Sequence, residues 1–255
     1  PDPAHPALTT FKDHFSDGAA AYAAHRPRYP VAVAEFLAAA APRRGVAWDC
    51  GCGSGQLAVL LADRFERVIA TDASAEQIAH ATPHPRIEYA RAPAEASGLP
   101  DGVVDLAVAA QAAHWFDVGG YYAEVRRVAR PGAIVALVCY AVMHIDDTVD
   151  PVLRRFYREV LAQYWPPERR HTENGYRSLP FPFTELPAPR LEMRAEWTLA
   201  DAIGYVETWA AVRAMERAQG RAPFEAFRRD LARAWGSEAT LRPIRWPLAL
   251  RVGRV

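Results

Sequence analysis

The sequence predicts an α/β fold: a doubly wound, mostly parallel sheet of about seven strands, with helices on both faces and a helical cap. Three observations carry that expectation. Short apolar or β-branched runs alternate with helical periodicities between residues 46 and 140. A glycine-rich turn, Gly51-Cys52-Gly53-Ser54-Gly55, joins the first of these runs to the helical pattern after it. And 255 residues with 51% apolar composition can bury one sizeable domain with an elaboration.

Taken in order, the chain starts polar and proline-punctuated. A helix-like run over 19–25 ends in His25-Arg26-Pro27-Arg28-Tyr29-Pro30, where two prolines stop it. A second helical run, 31–41, is closed by Pro42. Strands are then predicted at 46–50, 67–71, 86–91, 103–110 and 133–140, with helices at 57–65, 75–81 and 118–129 between them. Such alternation argues for a parallel sheet covered on both faces. Asp105, inside the fourth strand, reads as structural. Beyond 141 the rhythm breaks: an amphipathic helix over 151–165, then 166–190, rich in proline, arginine and aromatic residues. A strand at 191–199, helices at 200–219 and 223–235 and a last strand at 244–252 complete the prediction. The expected division is a lid over 1–45, a ligand-binding core over 46–140, and the remainder of the same domain over 141–255.

Thirty basic and thirty acidic residues give a formal net charge of zero. That leaves no electrostatic footprint for nucleic acid or an anionic membrane. Lys12 is the only lysine, and with the many alanines this reads as a biased coding composition, so arginine alone points to no partner. Cys50, Cys52 and Cys139 are too few and too irregular for a disulfide framework or a zinc site; no metal is expected, and a reducing, cytoplasmic setting is. No apolar run reaches the length of a membrane span, and the N-terminus lacks an apolar signal core.

The glycine turn decides the class of ligand. Glycine lets the backbone bend tightly and approach a ligand where a Cβ would collide. A dinucleotide fingerprint needs Gly-x-Gly-x-x-Gly, but the sixth position here is Gln56, and Gly55 comes one residue too early. The run Asp49-Cys50-Gly51-Cys52-Gly53-Ser54-Gly55-Gln56 resembles the first motif of the class I S-adenosylmethionine-dependent methyltransferases. The resemblance implies a Rossmann-like sheet with S-adenosyl-L-methionine lying across the carboxyl ends of its strands. It assigns Asp49, Gly51, Gly53 and Gln56 to the methionine part, with Asp49 toward the ammonium group. Asp72, ending the second strand, is implied to accept from the ribose hydroxyls; its alternative is a helix N-cap. Ala73 follows it, where the family usually has a larger apolar residue. Ala94 and Glu95 stand where the family meets the adenine, and Pro93 replaces an aspartate common there; Glu95 on a solvated turn is the alternative. Ala110 and Gln111, at the end of the fourth strand, border cofactor and substrate.

Phe15, Tyr22, Arg26-Pro27-x-Tyr29-Pro30, Ala113-His114-Trp115-Phe116 and the run 245–254 resemble a narrower group, the type 11 branch that includes trans-aconitate methyltransferase-like proteins. This implies a lid carrying Tyr22 and Arg26 near the methionine end, and a small-molecule acceptor, carboxylates among the candidates. A carboxylate needs no general base, being a nucleophile at neutral pH. A hydroxyl or protonated amine would need one, and His114 is the residue placed for it. The alternative for His114 is a packed histidine beside Trp115. Trp115, Trp209 and Arg213 are expected to line the acceptor pocket, although aromatic residues at helical spacing also suit a core. A nicotinamide-dependent oxidoreductase and a relative that binds the cofactor without turnover remain the alternatives. The expected assembly is a monomer or weak homodimer.

Overall fold

A computed structural model describes residues 27–255. Its core is an eight-stranded sheet. The strands are β1 (Val46–Cys50), β2 (Arg67–Asp72), β3 (Ile87–Arg91), β4 (Val104–Ala110), β5 (Ala129–Tyr140), β6 (Thr184–Leu186), β7 (Leu191–Trp197) and β8 (Arg242–Arg254). Their order is β3-β2-β1-β4-β5-β8-β6, with β7 also paired to β8. Strands β1 to β5 are parallel, and β8 runs antiparallel to β5, β6 and β7. From β1 the chain winds outward through β2 and β3, then restarts on the other side with β4. The crevice between β1 and β4 is therefore a topological switch point, where such sheets bind ligands at their carboxyl ends.

The central strands are buried on both faces and alternate cleanly between two cores. Ala47, Val68, Leu106, Val108, Ile134 and Ala136 point to one face, under helices α1 (Val31–Ala40) and α2 (Ala58–Ala62). Trp48, Ile69, Ala107, Ala109, Val135 and Leu137 point to the other. There they meet α4 (Val118–Val128), which follows α3 (Ala75–Ala79) in the chain. The Trp48 and Tyr121 rings lie 5.8 Å apart, and the indole N–H of Trp48 donates to Thr71 Oγ1 at 2.9 Å, so this large buried ring leaves no donor unmet.

Helices α5 (Asp150–Arg155), α7 (Leu199–Glu207), α8 (Ala210–Gln219) and α9 (Ala222–Trp235) form the cap, with a short α6 (Arg170–Glu173) between α5 and α7. Phe156 stacks on Phe227 at 4.1 Å, and a capping box between Thr198 and Asp201 starts α7.

Two predicted helices needed correction, and one short strand lies beyond those predicted. The helix predicted over 151–165 is α5 followed by a π-turn, Phe156–Val160, and a 3₁₀ turn, Ala162–Tyr164. The amide of Leu161 donates to the Phe156 carbonyl at 2.9 Å, and this wider turn brings Phe156, Tyr157 and Leu161 all into the core. The helix predicted over 200–219 is two, α7 and α8. Thr208 Oγ1 donates to the Tyr205 carbonyl at 2.6 Å, a local bond that competes with helix continuation, and Trp209 is extended. The eighth strand, β6, is three residues of a proline-flanked segment with no readable period.

Asp105 is structural, as expected. It is buried, accepts from the Val46 amide at 2.9 Å, and faces Arg43 and Arg130 at 3.5 and 3.4 Å, fastening the start of β1 to β4 and β5. Asp105→Ala leaves the Val46 amide without its partner. We expect it to cost about 2 kcal/mol, read as a lower urea midpoint with an unchanged slope.

Candidate functional site

The site forms where the carboxyl ends of β1, β2, β4 and β5 meet the loop after β1. Thr71, in the second-to-last position of β2, accepts from the amides of both Gly51 and Cys52, at 2.7 and 3.0 Å. Asp72 continues the clamp: Oδ2 accepts from the Gly53 amide at 2.9 Å and Oδ1 from the Ser74 amide at 2.8 Å. The helix cap weighed for Asp72 belongs instead to Ser74, whose hydroxyl accepts from Gln77 N. The loop needs its glycines. Gly51 has φ +69°, and a Cβ there would lie 2.5 Å from the Ala112 methyl; a Cβ on Gly55, at φ +84°, would overlap the Tyr89 hydroxyl. Gln56 follows, half-buried, and Ala73 is half-buried with its carbonyl accepting from Arg91 Nε at 3.1 Å.

Asp49, the fourth residue of β1, lies behind this loop. It is 1% exposed, and neither carboxylate oxygen has a hydrogen-bond partner among the described residues. Burial, with the charge of Asp72 adding to it and the nearby Ala58 amide, too poorly aligned for a hydrogen bond, opposing it, pushes its pKa up to about 7. The same burial holds the neighbouring Cys50 and Cys52 thiols protonated. A buried carboxylate of this kind calls for either a proton or a cation.

At the end of β4, Ala110 is half-buried and Gln111 takes a left-handed φ of +54°, rare outside glycine and frequent at functional sites. Its amide donates to Val138 O at 2.8 Å and its Nε2 to Tyr140 O at 3.0 Å, while its buried Oε1 has no partner among the described residues. Ala94 is buried nearby in the chain after β3. Glu95 is anchored, not free on a solvated turn: Oε1 accepts from the Asp117 amide at 2.8 Å, fixing the start of α4. His114 is buried, its Nδ1 2.8 Å from the Tyr176 hydroxyl and its ring 4.7 Å from Trp115. Trp209 joins an aromatic group, 5.6 Å from both Tyr157 and Trp165 and 5.9 Å from Tyr205. Arg213 Nη1 donates to Thr208 O at 3.0 Å. Tyr22 and Arg26 lie outside the described residues.

Asp49, the glycine loop, Asp72 and Gln111 are thus brought together at the switch point, while Trp209 and Arg213 belong to the cap. The sequence reading missed Tyr157, inside the helix predicted over 151–165, and Arg169 and Tyr176, from the proline- and arginine-rich stretch after it. Arg169 was hidden among an unusual number of arginines. Among the described residues no cluster of three or more His, Cys, Asp or Glu side chains can hold a metal, and no helix is long and apolar enough to cross a membrane.

Comparison with known proteins agrees with this geometry. Residues 48–137 match the family described as methyltransferase domain. A protein of Dictyostelium discoideum named as a methyltransferase is 30% identical over 234 residues, 90% of this chain and 89% of its own. An uncharacterised methyltransferase of Mycobacterium tuberculosis is 36% identical over 125 residues, 49% of this chain and 51% of its own. A solved structure from Anaeromyxobacter dehalogenans, assigned as a type II methyltransferase, shares 51% identity with a TM-score of 0.85, covering 90% of this chain and 97% of that one. A methyltransferase structure from Bacillus halodurans, 17% identical with a TM-score of 0.50 over 88% of this chain and 97% of that one, shares the fold. The chain belongs to the class I S-adenosylmethionine-dependent methyltransferases, which sets aside the nicotinamide-dependent alternative.

The Asp49 environment has a measurable consequence for the ligand-free protein. The unfolded chain releases this proton near the ordinary carboxylate pKa of about 3.9, the folded chain near 7. Between those values the folded state holds the extra proton, so this residue's contribution to stability falls as pH rises. Urea unfolding of Asp49→Asn against the parent between pH 5 and pH 7 should show the variant gaining ground by at most about 1.4 kcal/mol per pH unit.

Proposed function

We propose that this methyltransferase methylates a carboxylate of a small organic acid, with S-adenosylmethionine seated over the glycine loop, and that it stands near the trans-aconitate methyltransferase-like proteins of the type 11 branch. The carrying observation is the Asp49 carboxylate, buried and without a partner among the described residues at the end of β1. An α-ammonium group is the cation that would satisfy it, and charge-assisted hydrogen bonds of that kind are the strong ones. The residues present fit the cofactor in other respects. Gly51 and Gly53 leave the loop without side chains on the ligand side, and Gln56 closes it. The Asp72 carboxylate, positioned by the Gly53 and Ser74 amides, is the acceptor suited to a ribose diol. Ala73, Ala94 and Glu95 border the adenine end, and Ala110 and Gln111 the reacting end. Tyr22 and Arg26 complete the methionine end in this proposal.

When bound, the cofactor supplies a methyl group on a positively charged sulfur, which leaves with the C–S electron pair as the acceptor's lone pair forms the new bond. The protein's part is alignment in a dry pocket. A carboxylate acceptor arrives already ionised, so His114 is not required as a base. Its Nδ1 contact with Tyr176 instead fixes the ring beside Trp115, and both shape the pocket. Trp209 and Arg213 bound the pocket from the cap. Buried free thiols at 50, 52 and 139 suit a reducing cytoplasm, where we place the protein as a monomer or weak homodimer.

Calorimetry with S-adenosylhomocysteine tests the cofactor site. Stoichiometric binding is expected, weakened at least roughly tenfold by Asp49→Ala and by Asp72→Ala. Because the ammonium pairs with ionised Asp49, affinity should climb from pH 5.5 to about 7 and then level off. A pH-independent affinity would remove Asp49 from the site. For the acceptor, a panel of organic acids is incubated with the cofactor and examined for methyl esters by mass spectrometry. Binding of cofactor with no ester from any acid would favour a relative without this turnover.

A further inference from the structure

We propose that Arg169 is the specificity-determining anion anchor of the acceptor pocket, holding the carboxylate of a singly charged acid whose carbon body is apolar and flat. The inference rests on the carboxylate-acceptor reading above and adds to it which residue grips the acid and what kind of acid fits.

Arg169 lies on the 3₁₀ turn Pro167–Arg169, which packs against the turn Ala113–Trp115 at the end of β4. It therefore stands on the reacting side of the sheet, with His114 and Trp115. Arg169 is partly buried, as expected of a side chain lining a recess and not one sealed in the core. Its neighbours are aromatic. Its Cζ sits 5.3 Å from the centroid of the Trp165 ring, and its Nε is 3.4 Å from the Tyr157 hydroxyl. Tyr157 in turn donates to Glu173 at 2.8 Å, so the phenol is fixed from behind and steers the guanidinium.

Among the described residues no carboxylate pairs with Arg169, and its two terminal nitrogens have no hydrogen-bond acceptor. Other enclosed arginines are treated differently. Arg242 pairs with Asp146, and Arg251 pairs with Glu185 at 3.1 Å while donating to the carbonyls of Tyr176 and Leu179. With its Nε directed to Tyr157 and its face on Trp165, the guanidinium keeps an open edge whose parallel donors match a carboxylate. The stack on Trp165 holds the fork without using its donors.

The walls indicate the rest of the ligand. Trp165, Trp209 and Tyr157 form one continuous aromatic group beside this cation. Such a surface suits an apolar, flat body and offers little to a second or third carboxylate. Each carboxylate oxygen held by the Arg169 fork keeps a further lone pair, and one of them receives the methyl group. A neutral analogue of the same shape would leave the guanidinium unpaired, which is how a buried polar group discriminates.

The test uses the full chain saturated with S-adenosylhomocysteine and two probes of one shape, 3-phenylpropanoate and 3-phenylpropanamide, titrated by calorimetry. The parent should bind the acid at least roughly tenfold more tightly than the amide. Arg169→Met, which keeps the stack on Trp165, should erase that preference, and Arg169→Lys should restore part of it. In both variants the affinity for S-adenosylhomocysteine should match the parent, and neither should unfold at a lower temperature. Tyr157→Phe should reduce the preference without abolishing it. The inference is overturned if the parent does not prefer the acid, if Arg169→Met keeps the preference, or if citrate binds more tightly than 3-phenylpropanoate. Failure of S-adenosylhomocysteine to bind the parent would strike at the cofactor site instead. Arg169-dependent binding of the acid without ester formation upholds the anchor and removes the carboxylate as the methyl acceptor.

Discussion

Two consecutive residues at the end of β2 hold the functional end of this molecule in place. The Thr71 carbonyl takes two amides of the glycine loop, and the Asp72 carboxylate takes a third together with the amide that opens the next turn. Four donors that would otherwise need water are thus met by one strand end, and the loop is pulled tight over β1. The tightness accounts for the glycines: at position 51 a methyl would run into Ala112 from the end of β4. It also accounts for Asp49, which is buried with no side-chain hydrogen-bond partner among the described residues. A rigid loop and an unsatisfied carboxylate are two aspects of one arrangement.

The sheet and its ligand end were legible in the sequence because few solutions satisfy their constraints. A buried strand followed by closely spaced glycines and a helix leaves little choice of geometry, and the acid before the glycines separated one class of nucleotide-like ligand from another. The strand β4, apolar but for Asp105, and the 133–140 part of β5 also announced a sheet covered on both faces. The cap was less readable. Its helices are interrupted by side chains that bond their own backbone, as Thr208 does, or by a wider turn that turns Phe156 and Leu161 inward together. Neither device leaves a mark in hydrophobic periodicity. Tyr176, fully buried at φ +62°, comes from the same unpatterned stretch. Glu95 was half legible: its position was clear, but its bond to the Asp117 amide depends on a contact between distant segments.

The arginines show how composition can hide function. In a chain whose basic residues are almost all arginine, no single one stands out. Pairing separates them once the fold is known. Arg221 sits among Glu207, Glu216 and Glu225 and ties cap helices together at the surface. Arg127 binds Glu124, which in turn holds the amide and hydroxyl of Ser97. Each has an evident structural partner. Arg169, stacked on Trp165 with no carboxylate partner among the described residues, is the one our proposal places in the pocket.

The long strand β8 touches more of the sheet than any neighbour. Its Leu248–Arg254 half pairs with β5, while its other edge pairs first with β7 and then with β6. Three strands therefore wait for a segment that the ribosome delivers after all of them. Until it arrives, the outer edge of β5 has no ladder partner, and the cap helices between β7 and β8 have no finished platform to pack on. Assembly of this half of the molecule must be a late, long-range event, and a chaperone meeting the nascent chain would find that bare rim of β5 as its natural handhold.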